Sequence, residues 1–263
     1  SRANANILMG QFLYELADVC GYALKELEGG QQDNVITKEC EASILVLPEE
    51  IHAITDLAEK MQHDFRTEYT GTDDNITIQI TEEGNEDAQV LHPTSQEKVI
   101  FYLMNMPFGV KKMSGTIEGL VETSCNPGIL KLYRDELFVQ TSIRSSVGTA
   151  KEALSHKIQY LTEFLGGEYE TEGAYPAWEY RKDSPLRDKM VEVYKNMYGK
   201  DLSVIAIHAG LECGLFYERI ENLDCTSLGP DILDIHTYKE RLDMCSVKRV
   251  WEYLTEVLKN LKD

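Results

Sequence analysis

The opening residues have the spacing of an amphipathic helix, and this feature constrains the fold most. Apolar side chains recur along one face of the pattern, at Leu8, Phe12, Leu16, Val19 and Leu27. The Gly29-Gly30 pair then ends the helix, because glycine commonly follows a helix C-terminus. We therefore predict one long helix from the start of the chain to about residue 28. Its apolar face needs a further layer of structure to bury it.

The rest of the first half alternates extended segments with helices. Segments 34–37, 42–47 and 75–81 read as extended, and Pro48 begins a helix that runs to about residue 68. After an acidic connector at 82–95 and a short helical or mixed segment at 96–106, strands are predicted at 119–124, 129–134 and 136–142. A helix at 150–165 closes this half. The sum predicts an α+β domain over residues 1–170, with an antiparallel sheet and helices on one face.

The second half has a different pattern. Helices are predicted at 185–198 and 247–261, with an all-apolar strand of the buried kind at 204–207 between them. Buried strands of this type occur in α/β domains, whose sheets are covered on both faces. Residues 171–263 therefore read as the remnant of an α/β domain, too small to be complete.

Charge and cysteine usage exclude several classes of function. The net charge of −19 would repel phosphate backbones and anionic membrane surfaces, so we expect neither nucleic acid nor membrane as a partner. The six cysteines include no C-x-x-C pair, which favours reduced, packed thiols over a zinc knuckle or redox motif. The sequence has no basic-then-apolar leader and no apolar stretch of about 18 residues, so a cytoplasmic location is expected.

The histidines alone do not form a recognisable metal site. Two cocatalytic metal ions require a set of histidines and carboxylates, usually with one carboxylate bridging ions about 3.5–4 Å apart. No two of the six histidines stand at a ligand spacing, and His52 and His63 fall on a polar helix surface. From the residues alone, His236, which follows a Gly-Pro turn, is not expected to be a ligand either.

Several motifs together resemble the aminoacyl-histidine dipeptidases, a family of cocatalytic zinc peptidases. They lie at residues 2–6, 29–36, 141–146, 206–214 and 228–240, followed by a terminal amphipathic helix. The resemblance implies that residues 1–170 are the lid, or dimerisation, domain and that residues 171–263 are the C-terminal part of the catalytic domain. It also implies that most metal ligands and the catalytic glutamate lie upstream of this sequence, so that the chain is a fragment without catalytic residues of its own.

The same resemblance assigns four site residues. His236 would bind one of two zinc ions, and Asn34 would hydrogen-bond the substrate, which suits an amide that both donates and accepts. Arg144 would hold the free carboxylate of a dipeptide in bidentate geometry. Glu212 would receive the substrate amino group or support a metal ligand. The alternative for Asn34 is a turn residue beside glycine, and for Arg144 a surface arginine at a strand end.

The leading interpretation is a cytosolic zinc metallodipeptidase that hydrolyses unblocked dipeptides such as Xaa-His and forms a homodimer through the lid. One alternative is a dimerisation or peptide-binding module without catalysis. Another is a related amidohydrolase that acts on acylated amino acids. The last is suggested by two departures from the family pattern, Thr37 where a proline is usual and Tyr238 two residues after the histidine.

Overall fold

The computed structural model of the protein describes residues 2–84, 87–134, 136–206, 212–235 and 237–261. The chain divides into two compact units. Unit 1 comprises Ser1–Ser145 and Thr149–Glu172, and unit 2 comprises Ser146–Gly148 and Gly173–Asp263. Within the described ranges, no helix is both long enough and apolar enough to cross a membrane.

The first helix is shorter than the sequence predicts. Helix α1 spans Ala5–Val19, and strand β1 begins at Tyr22 and runs to Gly29. A β-bulge between Leu24 and Glu26 leaves Leu24 and Leu27 both buried although they are three residues apart. Because an extra residue in a strand shifts the alternation of its faces, this spacing imitates a helix. The predicted helix was therefore wrong beyond residue 19.

Unit 1 is built on a five-stranded antiparallel sheet, which confirms the predicted fold class. The further strands are β2 Cys40–Val46, β3 Gly109–Met113, β4 Val121–Tyr133 and β5 Glu136–Ser145. Strand β4 is central, with β5 along one side. On its other side, β3 pairs with residues 121–125 and β1 with residues 130–131. Residues 126–129 of β4 have neither β1 nor β3 as a paired neighbour there, and we call this stretch the β4 gap.

Three further helices cover the sheet of unit 1. They are α2 Ile51–Glu68, which follows a short 3₁₀ turn at Pro48–Glu50, α3 Pro93–Asn105 and α4 Gly148–Phe164. One apolar cluster joins α1 and α3 to β1 and β4, and a second joins α1 to α2. A third lies under α4, where Leu154 and Ile158 pack on Cys125 of β4 and Ile143 of β5. The helix predicted from Pro48 to about residue 68 is confirmed.

The segment 75–81 is not a strand as the sequence predicts. Ile76 and Ile78 pack against the cluster between α1 and α2, but their backbone bonds go to side chains of α2. Gln62 accepts from the Ile78 amide at 2.9 Å, and Arg66 donates to the Ile76 carbonyl at 2.6 Å. The apolar alternation therefore reflects packing on a helix, without a neighbouring strand.

Unit 2 contains helices α5 Pro185–Tyr198, α6 Glu212–Arg219 and α7 Met244–Asn260. Its hairpin pairs β6 Ile232–Leu233 with β7 Arg241–Leu242. Helix α5 has its predicted bounds, and α7 begins three residues before its predicted start. The buried strand predicted at 204–207 is not formed at residues 204–206, where Val204 and Ile205 are exposed. A buried parallel strand needs paired neighbours, and the described part of unit 2 has only the short hairpin.

Candidate functional site

Asn34 lies in the connection between β1 and β2, and its side chain is exposed. Residues 33–35 form a turn instead of the extended segment that the sequence predicts. The only hydrogen bond between backbone groups of this turn in the described structure is a long one, from the Val35 amide to the Gln32 carbonyl at 3.4 Å. The turn therefore depends on other parts of unit 1 for its position.

Asn126 of β4 holds the turn on both sides of Asn34. Its Nδ2 donates to the carbonyl oxygens of Asp33 and Val35, each at 2.9 Å. Its Oδ1 accepts a hydrogen bond from Nδ2 of Asn4 at 3.0 Å. One side-chain amide thus fixes the carbonyls of the residues before and after the candidate substrate-binding residue.

Close backbone packing at the β4 gap requires glycine. Gly30 has φ +76°, and a Cβ at this position would collide with the carbonyl of Gly128. A Cβ on Gly128 would in turn collide with the carbonyls of Gln32 and Asp33. Glycine tolerates both the positive φ and the close approach, so these two residues let the turn lie directly against β4.

Buried polar side chains replace the missing strand partner at the β4 gap. Asn4 and Asn6 are both 0% exposed, and each donates to the carbonyl of Pro127 at 3.1 Å. Thr37 donates to the carbonyl of Gly128 at 3.0 Å and accepts from Asn6 at 3.2 Å. Buried backbone carbonyls need a hydrogen-bond donor, and these side chains supply the donors that a neighbouring strand would otherwise supply. They account for the asparagines of the motif at residues 2–6.

Arg144 lies on β5, with Ser124 of β4 as its cross-strand partner. Cys125 and Ile143, the neighbouring pair, pack under α4, so the side chains of Ser124 and Arg144 emerge on the opposite face of the sheet. Asn126 is two residues from Ser124, which is about 7 Å along a strand. The structure therefore brings the Asn34 turn and Arg144 to the same part of the central strands.

The guanidinium of Arg144 has no carboxylate partner among the described residues. The nearest acidic residue along β4 on that face, Glu122, is engaged by Lys112 at 2.8 Å and is 7% exposed as a residue. An arginine that is partly exposed and not paired can bind an incoming carboxylate with charge-assisted hydrogen bonds. This arrangement is compatible with the role predicted for Arg144.

Glu212 is the first residue of α6 in unit 2, and its carboxylate is exposed. A negative charge at a helix N-terminus is favourable because it faces the positive end of the helix dipole. The sequence placed Glu212 at the end of a buried strand, but residues 204–206 form no strand and residues 207–211 lie outside the described ones. The structure therefore places Glu212 on a helix start and does not assign its ligand.

His236 lies outside the described residues, as does His208. The flanking hairpin is described, and it is closed by Arg241, whose guanidinium contacts the Asp234 carboxylate at 2.9 Å. Among the described residues, no group of three or more His, Cys, Asp or Glu side chains is placed to hold a metal ion. The described side chains thus do not fit a zinc site by themselves.

Two thiols of unit 1, the half-buried Cys40 and the buried Cys125, are not candidates for nucleophilic chemistry. Burial raises the pKa of both Cys40 and Cys125 to about 12, so they carry no thiolate at neutral pH. All six cysteines are free, and these two behave as the packed thiols that the sequence predicts.

Comparison with known proteins agrees with this α+β architecture. No family model matches the chain. The chain is 30% identical over 258 residues to the cytosol non-specific dipeptidase of Escherichia coli (strain K12), covering 98% of this chain and 53% of that protein. It is similar to the crystal structure of aminoacylhistidine dipeptidase from Vibrio alginolyticus, with a TM-score of 0.90, 32% identity, and coverage of 98% of this chain and 52% of that one.

The resemblance predicted from the motifs is therefore confirmed. The chain is homologous to the cytosol non-specific dipeptidase and structurally similar to the aminoacylhistidine dipeptidase. It spans about half the length of each of these relatives. Nothing in the comparisons tests the individual roles of Asn34, Arg144, Glu212 and His236, which stay predictions.

Sequence reasoning missed Asn126, although its signal is present. Residues 126–128 read Asn-Pro-Gly, which normally marks a turn, and the predicted strands accordingly stopped at 124 and restarted at 129. In the structure β4 continues through these residues with a bulge between Pro127 and Ile129. Pro127 is tolerated because neither β1 nor β3 pairs with it, so its missing N–H leaves no ladder bond unmade on that side.

Proposed function

We propose that this chain is the lid domain and the C-terminal part of the catalytic domain of a metal-dependent dipeptidase that acts on unblocked dipeptides. The observation that carries the proposal is that an exposed amide, Asn34, and a guanidinium without a carboxylate partner among the described residues, Arg144, lie near the same part of the sheet. An amide and a guanidinium match the peptide group and the free carboxylate of a short peptide. Homology to dipeptidases over 98% of the chain supports the reaction class.

In this proposal, the described residues bind and orient substrate and do not perform the hydrolysis. Arg144 receives the C-terminal carboxylate, Asn34 holds the scissile peptide group, and Glu212 receives the free amino group or supports a metal ligand. Two zinc ions would supply the metal-bound water when present, with His236 as one ligand and the others from polypeptide beyond these 263 residues. We further propose a cytoplasmic location and Xaa-His dipeptides among the substrates.

The surface of unit 2 supports a contribution from further polypeptide. Large apolar side chains there are strongly exposed, including Ile205 at 77%, Met244 at 80% and Trp251 at 69%. Extended apolar surface usually marks a face that packs against another chain or domain. We therefore propose that the 263 residues alone neither bind zinc tightly nor hydrolyse dipeptides.

Two measurements test this proposal. The purified chain should lose its zinc on dialysis, since isolated ligands leave the ion mostly hydrated, and should show no dipeptidase activity. The complete enzyme should cleave free dipeptides and lose most activity and one metal equivalent on His236→Ala. Stoichiometric zinc in the dialysed 263-residue chain, or cleavage of acylated amino acids in preference to free dipeptides by the complete enzyme, would overturn it.

We also propose that the lid forms a homodimer through the β5 edge and the adjoining face of α4. Strand β5 pairs only with β4 in the described sheet, and Tyr160 and Phe164 of α4 are each 72% exposed with stacked rings. Pairing across a two-fold axis would give the edge strand a hydrogen-bonded neighbour and bury the apolar helix face.

Sedimentation equilibrium at moderate salt should give a dimer that Tyr160→Glu dissociates, and a monomer at high micromolar concentration would refute the dimer. Such a dimer without dipeptidase activity in the complete protein would favour the non-catalytic module.

The altered position Thr37 does not favour a different substrate. Its side chain is 4% exposed and is occupied with the Gly128 carbonyl and the Asn6 amide. The substitution for proline is thus accommodated inside unit 1, at the support of the turn instead of at its exposed surface. Tyr238, the second departure from the family pattern, is 94% exposed. A panel of free and acylated substrates would test whether it changes substrate choice.

A further inference from the structure

The side-chain amide of Asn126 is the direct link between the central strand of unit 1 and the turn that carries Asn34. Both of its N–H groups donate hydrogen bonds, one to the carbonyl of Asp33 and one to the carbonyl of Val35. A primary amide has two donors on one nitrogen, so it can hold the carbonyls of two nearby residues at a fixed separation. We call this pair of bonds the Asn126 clamp.

The orientation of the Asn126 amide follows from its neighbours. Oδ1 of Asn4 accepts from the Asn6 backbone amide at 2.9 Å, as the N-cap of α1, so Nδ2 of Asn4 must point the other way and donate. That donor faces Oδ1 of Asn126, which leaves Nδ2 of Asn126 toward the two turn carbonyls. The reverse orientation would set donor against donor and acceptors against acceptors. A chain of hydrogen bonds thus runs from the helix cap to the turn.

We infer that Asn126 is a positioning residue for the substrate-binding asparagine, holding Asn34 at a fixed place relative to Arg144. This inference rests on the proposed function, because Asn34 and Arg144 are binding residues only in a dipeptidase. The turn has only one weak backbone bond of its own in the described structure. The clamp therefore supplies the side-chain hydrogen bonds that hold this turn against β4, and substrate orientation depends on the position of the turn.

Two substitutions at the same position separate the clamp from a space-filling role. Asn126→Ala removes both donors and the side-chain volume. Asn126→Asp keeps the volume but, when ionised, turns both donors into acceptors that face two carbonyls. Space filling predicts that Asp is the better replacement, whereas the clamp predicts that it is the worse one. Asn105→Asp, at an exposed asparagine that donates to the Phe101 carbonyl at the end of α3, is the matched control.

The first readout is hydrogen–deuterium exchange of residues 31–37 in the 263-residue chain, which needs no activity. Exchange should rise in the order wild type, Asn126→Ala, Asn126→Asp, and Asn105→Asp should match wild type there. On acidification the Asn126→Asp ratio to wild type should fall toward that of Asn126→Ala, because a protonated carboxyl regains one donor. Unchanged exchange in both Asn126 variants, or the reverse order, overturns the clamp.

The second readout is kinetics of the complete enzyme on a free dipeptide, with circular dichroism confirming that every variant is folded. We expect kcat/KM to fall about tenfold for Asn126→Ala and about a hundredfold for Asn126→Asp, since two hydrogen bonds are lost and then replaced by repulsion. Altered exchange with unchanged kcat/KM would make Asn126 structural only and overturn the inference. Absence of dipeptide cleavage by the wild-type enzyme would overturn the proposed function instead, while the exchange order still decides the clamp.

Discussion

Unit 1 and unit 2 bury their apolar side chains to very different extents. In unit 1, α1 lies between two large clusters, one against the sheet and α3 and the other against α2. In unit 2, the cluster consists of Met190 and Val193 of α5 with Tyr253 and Val257 of α7. The apolar face of α7 continues beyond this cluster to Trp251 and Leu258, which are 69% and 56% exposed.

This difference indicates which parts of the chain hold their structure unaided. A domain is stable when buried apolar area offsets the entropy of ordering the chain, and small clusters contribute little. Unit 1 has a covered sheet and contains the Asn34 turn and Arg144. Unit 2 contains Glu212 at the start of α6, and much of the apolar surface of its described elements is uncovered. The candidate binding residues Asn34 and Arg144 therefore lie in the unit with the larger apolar clusters, whereas Glu212 begins a helix in the unit with the smaller one.

The largest expected effect is the difference in lost stability between two leucine-to-alanine substitutions, one in unit 1 and one in unit 2. Leu130→Ala, at a fully buried position of β4, should lower the free energy of unfolding of unit 1 by about 3 kcal/mol, because it leaves a cavity. Leu258→Ala on the exposed face of α7 should cost less than about 0.5 kcal/mol. Native-state hydrogen exchange of β4 and α7 reports each unit separately. A loss of unfolding free energy for Leu258→Ala comparable to that for Leu130→Ala would show that this face of α7 is buried.

The next effect tests whether unit 1 supplies the carboxylate subsite. In the complete enzyme, Arg144→Lys should raise the activation free energy for free dipeptides by about 1.5–3 kcal/mol, because lysine cannot form the bidentate pair. C-terminal amides of the same dipeptides should be affected much less. Steady-state kcat/KM on matched acid and amide substrates measures the difference. Equal losses on both would remove Arg144 from the carboxylate subsite.

Elements with local signals at both ends could be predicted from sequence. Helix α5 has its predicted bounds because Pro185 stands at its first turn and Gly199, at φ +64°, ends it. Strand β1 could not be separated from α1, since the bulge at Leu24 and Glu26 exists only in pairing with β2. The buried strand predicted near residue 204 failed for a similar reason, because strand formation depends on neighbours that a local pattern does not contain.

The candidate site was predictable in part for the same physical reason. Asn34 and Arg144 stand in motifs that are continuous in sequence, so a resemblance could identify them. Asn126 and Asn4 are separated by 122 residues and meet only because β4 passes α1 at the gap between two other strands. Their contact is a property of sheet topology, which no local pattern of residues reveals.

A smaller effect concerns the junction of α5 and α7 in unit 2. The buried hydroxyl of Tyr253 donates to the Met190 carbonyl at 2.8 Å. Tyr253→Phe should lower the stability of α5 and α7 by about 1 kcal/mol, the usual net value of one hydrogen bond. Tyr198→Phe is the matched control, since its exposed bond to the Arg249 carbonyl is 3.4 Å long. Hydrogen exchange of both helices measures the effect. Similar losses of stability in both variants would show that the hydrogen bond from Tyr253 to Met190 contributes no more than the exposed one.

The smallest effect is a pH dependence at the start of α5. Partial burial acts to raise the pKa of Asp224, but hydrogen bonds from Ser184 and the Leu186 amide outweigh it and lower the pKa. A carboxylate with a lowered folded-state pKa stabilises the fold above its unfolded pKa of about 3.9, and this contribution is lost as pH falls through the folded value.

Asp224→Asn should therefore destabilise α5 at neutral pH, and the difference from wild type should shrink below about pH 4 as the wild-type carboxyl protonates. Urea unfolding followed by fluorescence of the tryptophans, which both lie in unit 2, measures this difference from pH 7 to pH 3. Glu221→Gln removes an exposed carboxylate three residues away and should show no such dependence. A constant difference across the range would mean that the hydrogen bonds of Asp224 are equally strong in its neutral form. The order of unit 2 would then be insensitive to this charge.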